Sequence, residues 1–120
     1  MNVLNAGLRF LLELAALFAV GYWSWHQDVG AFRIVLAVAG PILFAAVWYT
    51  FNVKNDPGRS GKAPVPVAGA VRLLIELILF GFAVFAVAES LSQLAGIVFG
   101  LILLAHYVAA YRRIAWMLRN

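Results

Sequence analysis

The pattern Arg-x-x-x-Glu-Leu occurs twice, at residues 9–14 and 72–77, each time inside a stretch otherwise apolar enough to span a bilayer. A charged residue near the middle of a membrane helix costs roughly 2.5 to 3.5 kcal/mol on insertion scales, whereas each Leu, Ile, Phe or Val returns only about 0.3 to 0.6. The first stretch, residues 4–23, sets nine such apolar side chains against one Arg and one Glu. It is marginal as an isolated span, so its charges have to be hidden among neighbouring helices.

A chain of 120 residues that is 65% hydrophobic and 12% charged lies far from soluble averages of about 45–50% and about 25%. The expectation is a single-domain integral membrane protein, all-α, with room for four spans of ~20 residues and none for a soluble catalytic domain. The absence of cysteine excludes disulfides, Cys-ligated zinc, iron–sulfur clusters and thiol catalysis. No nucleophile stands with a partner base, so the chain does not read as an enzyme. A di-histidine haem site is excluded, because His26 and His106 fall on opposite sides of the membrane. Neither a metal nor another cofactor is expected. No basic region precedes the first apolar run and no small-x-small cleavage site follows it, which reads as a retained helix.

The expected spans are residues 4–23, 31–51, 68–88 and 92–114, in a compact four-helix bundle with a Pro- and Gly-rich loop at 52–67. Residues 58–62 of that loop lack the spacing and the preceding strand of a phosphate-binding loop. Aromatic belts are expected from Tyr22, Trp23 and Trp25 at one end and from Trp48, Tyr49, Tyr111 and Trp116 at the other. Lys54, Arg59, Lys62, Arg112, Arg113 and Arg119 all fall in the middle connection or near the C-terminal end. By the positive-inside rule that loop and both termini are cytoplasmic. The net charge of +4 therefore reads as topology and contact with the lipid bilayer, and no nucleic-acid partner is implied.

An offset of 63 residues places Arg9 on Arg72 and Glu13 on Glu76, and implies an internal repeat of a helix pair that brings the first and third helices together. Each Arg and Glu are four apart and share a helix face. Glu13 lies about 13 Å into its span and His106 about 9 Å above the cytoplasmic end of the fourth. The expected polar centre therefore contains Arg9, Glu13, Arg72, Glu76 and His106, with Asn5 extending it. Two readings follow. Two Arg against two Glu make a neutral lock that fixes which helices pack, in a protein acting through a partner or as a homo-oligomer. Alternatively, Glu13 and Glu76 carry a proton or a small cation in a transporter or channel. The balance of charge favours the lock. Gly96 and Gly100 form a Gly-x-x-x-Gly that serves helix packing or self-association.

The segments Leu8-Arg9-Phe10-Leu11-Leu12-Glu13-Leu14 and Val71-Arg72-Leu73-Leu74-Ile75-Glu76-Leu77, together with Trp48, Phe51 and the loop run Asp56-Pro57-Gly58-Arg59-Ser60-Gly61, resemble the YrdB family of small bacterial membrane proteins. The resemblance covers nearly the whole chain. It implies a four-helix protein of the bacterial inner membrane and brings no substrate with it.

Overall fold

The structure is a computed structural model that describes residues 3–56 and 63–120. Arg59 and Lys62, used above for orientation, lie outside the described residues. Helix α1 spans Val3–Trp25, α2 Phe32–Thr50, α3 Gly69–Ser90, α4 Gln93–Ala109 and α5 Tyr111–Arg119. Two-residue strands β1 (Phe51–Asn52) and β2 (Val65–Pro66) pair in parallel. With the Val67 amide donating to the Asn52 carbonyl at 2.9 Å, they draw together the two ends of what the sequence presents as an open loop.

Helix α1 buries Asn5, Arg9, Leu12, Ala16, Val20 and Ser24, a stripe at spacings of three and four. Helix α3 buries the matching stripe Gly69, Arg72, Glu76, Phe80, Ala83 and Val87. The two stripes face each other, so α1 and α3 form the central pair, with α2 packed on α1 and α4 on α3. Polar groups occupy the end of the pair where α3 begins. Leu12, Ala16, Val20, Phe44, Trp48, Phe80, Ala83, Leu103 and Tyr107 make the apolar core beside them.

Two expectations are corrected. The fourth apolar stretch is not one continuous helix to residue 114: it stops at Ala109, turns through 68° and resumes as α5. Ala110 at the turn leaves helical geometry (φ −96°, ψ 24°). Beyond the turn, Arg113 and Met117 are buried. A Cβ at Gly69 would collide with the Met117 backbone, so α5 lies directly across the start of α3. The described residues accordingly form five helices. The second correction is Trp48, assigned above to an aromatic belt. It is buried in the core, its ring edge-on to Phe80 with centroids 4.9 Å apart.

Gly96 and Gly100 lie on the side of α4 that meets α3. A Cβ at Gly96 would come within 2.6 Å of the Ala88 Cβ, and one at Gly100 within 3.7 Å of Val84. Both glycines are thus engaged in packing within the chain.

Candidate functional site: a buried charge cluster

Glu76 sits at the centre, with none of its side chain exposed. It shares a face of α3 with Arg72, four residues earlier, and the Arg72 Nε donates to its Oε2 at 2.8 Å. Helix α1 supplies a second guanidinium, with the Arg9 Nη2 donating to the same oxygen at 2.8 Å. The third comes from α5: Arg113 donates from Nη1 to Oε1 at 3.1 Å and from Nη2 to Oε2 at 2.8 Å. Tyr107 on α4 adds its hydroxyl to Oε1 at 2.7 Å. Three of the five helices thus bring cations to one carboxylate, and a fourth brings a neutral donor.

The arginines are held in turn. Arg9 donates through Nε to the Glu13 Oε1 at 3.2 Å, and that oxygen also accepts from the Trp48 indole at 2.8 Å. Arg72 turns its Nη1 to the carbonyls of Trp48 and Phe51, at 2.6 and 2.8 Å. Those carbonyls lie at the C-terminal end of α2, where acceptors lack helical partners and a cation is favoured. The Trp48 ring lies under the Arg72 guanidinium at 4.6 Å, a cation–π contact in a water-poor setting. Arg113 forms a two-pronged pair with Asp56, at 2.9 and 2.6 Å.

The structure brings together Arg9, Glu13, Arg72 and Glu76, and it includes the cross-helix contact of Arg9 with Glu76. His106 stands beside them instead of on a carboxylate: its Nδ1 lies 2.9 Å from the Asn5 Oδ1. Sequence reasoning missed Arg113, Asp56, Tyr107 and Trp48. With Arg113 and Asp56 included, three arginines meet three carboxylates, so the cluster is neutral with one more charge of each sign than expected. One signal was available for Arg113, seven residues after His106 and hence on the same face of a continuing helix. Asp56 stood in plain view as the first residue of the loop run quoted above.

The Glu76 carboxylate is saturated, whereas the buried Nη1 of Arg9 has no hydrogen-bond partner among the described residues. Both oxygens of Glu76 are occupied by donors, and a pocket that touches Glu13, between α1 and α2, measures about 10 Å³, at most the space of a single water.

Fold and site together define a compact helical protein whose span-length apolar helices are tied by a buried, neutral cluster of arginines and carboxylates. The chain belongs to the family described as a protein of unknown function, DUF2568, whose model matches residues 7–118. It is 41% identical over 120 residues to the uncharacterized protein YrdB of Bacillus subtilis (strain 168), an alignment covering all of this chain and 98% of that protein. No solved structure matches it.

Proposed function

We propose that this chain is a noncatalytic, multi-pass protein of the bacterial cytoplasmic membrane in which the charge cluster locks the helices in one register. It presents that fixed bundle to a partner protein or to further copies of itself. The observation that carries the reading is Glu76, buried and held by three guanidinium groups and a tyrosine. Such a carboxylate organises helices, because any rearrangement would strand charge in an apolar interior.

Membrane embedding is supported by an inverted surface. Phe18 and Leu4 are 81% and 84% exposed while Arg72 and Glu76 are fully buried, the reverse of the pattern in water-soluble proteins. Among the described residues three helices are long and apolar enough to cross a bilayer, and the bent α4–α5 pair makes a fourth candidate. In the proposed orientation the charge cluster faces the cytoplasm.

Infrared difference spectroscopy tests the lock. Across roughly pH 5 to 8, where a proton-coupled carboxyl would have to titrate, the parent and its Glu13→Gln and Glu76→Gln variants should show no Glu-dependent protonation signal. Such a signal would replace the lock with a transporter that moves protons or cations through Glu13 and Glu76.

A further inference from the structure

We infer that α5 and the adjoining α3–α4 face form a binding site for an anionic phospholipid, its acyl chain in an apolar groove and its phosphate on Arg112 and Arg119. The inference rests on the membrane reading above.

Helix α5 has three distinct sides at about 100° per residue. Arg113 and Met117 face the bundle and are buried. Tyr111 and Leu118, 61% and 63% exposed, make an apolar side together with Ala115. Arg112 and Arg119, seven residues apart, share the third side and are exposed. A helix turned 68° from the span before it, apolar on one side and cationic on the next, has the form of one lying in a membrane interface.

The cationic side lacks compensation from exposed acids. Every carboxylate near this end (Glu13, Asp56 and Glu76) is already engaged by Trp48, Arg9, Arg72 or Arg113. The two exposed acids among the described residues, Asp28 and Glu89, lie beyond or at the far ends of α1 and α3. Arg112, Arg119 and the exposed Lys54 therefore present net positive charge where a phosphate would meet it. Beside them an apolar groove of about 350 Å³ runs between α3 and α4, lined by Leu77, Gly81, Gly100 and Leu104 and reaching Ile114 on α5. Ile114 lies about 200° round α5 from Arg112, so the groove meets the cationic side only by way of the exposed apolar side of Leu118, Tyr111 and Ala115. An acidic protein segment would use the arginines but have no need of the groove; a phospholipid uses both.

Full-length protein in phosphatidylcholine nanodiscs, with and without phosphatidylglycerol, tests the site, with retained lipid identified by native mass spectrometry. Arg112→Gln/Arg119→Gln removes exposed charge together with the surface contact of Arg112 with the Tyr111 hydroxyl. Gly81→Leu fills the groove, since a Cβ at Gly81 meets nothing within 4 Å, and leucine also favours the helix over glycine. The parent should retain phosphatidylglycerol over phosphatidylcholine, by up to about fivefold for each arginine at an anionic surface. Both variants should reduce that preference. No preference in the parent overturns the site. Loss of preference in the arginine variant alone, with Gly81→Leu unchanged, also overturns it, because the arginines would then serve a diffuse surface or an acidic protein. Failure to enter discs of either composition would instead sink the membrane reading.

Discussion

Arg113 and Asp56, 57 residues apart in the chain, are joined by two hydrogen bonds of 2.9 and 2.6 Å with both side chains about 99% buried. The same guanidinium holds Glu76, so a single side chain fastens the segment after α2 and the start of α3 to α5. Breaking one partner of such a pair leaves the other charge buried and uncompensated, at about 3 to 5 kcal/mol. Arg113→Gln and Asp56→Asn should each lower stability on that scale in detergent unfolding. The double variant should cost clearly less than the sum, a coupling of roughly 0.5 to 3 kcal/mol. Simple additivity would mean that the two residues do not share a pair.

The two glutamates should behave unequally. Glu76 accepts from three arginines and a tyrosine, whereas Glu13 accepts from Arg9 and Trp48 and keeps 13% of its side chain exposed. Glu76→Gln leaves three guanidinium groups around a neutral amide and should be the most destabilising single change in the cluster. Glu13→Gln retains an oxygen for the Trp48 indole and should cost less. Melting of the two variants side by side gives the order; a reversal would move the centre of the network to α1.

Gly69 permits α5 to lie across α3. Gly69→Val should displace α5, because any side chain there meets the Met117 backbone. The readout is limited proteolysis: the variant should be cut between Ala109 and Arg119 under conditions that leave the parent intact. Equal resistance would show that α5 docks by another route.

Reporter fusions after Asn120 and within residues 52–67 should both report the cytoplasmic side, as the distribution of Lys and Arg requires. An external signal from either would turn the charge cluster and the proposed lipid site to the opposite face.

Much of the helical framework was legible because long apolar runs leave few alternatives, and the pairing of α1 with α3 followed from placing one Arg-x-x-x-Glu on the other. The break at Ala110 was not legible. Residues 110–114, Ala-Tyr-Arg-Arg-Ile, contain neither Pro nor Gly, and the partners that Arg113 meets just past the turn, Asp56 and Glu76, are far from it in sequence. Trp48 was misplaced for a related reason: a tryptophan near a span end ordinarily marks an interface, and only the arrival of Arg72 and Glu13 on either side of it makes the interior preferable. Arg113 itself was hidden by its neighbour. Arg112 and Arg113 read alike as flanking charge in one dimension, yet 100° of helix rotation separates a buried cation from an exposed one.

Within the cluster, chain order has its own consequence. Glu13, Arg9, Asp56, Arg72 and Glu76 are all synthesised before Arg113, and until it arrives they sum to two positive and three negative charges. Pairing of α1 with α3 alone would leave one carboxylate of the cluster without its cation. Charge balance within the cluster is therefore completed only by α5, the last helix of the chain.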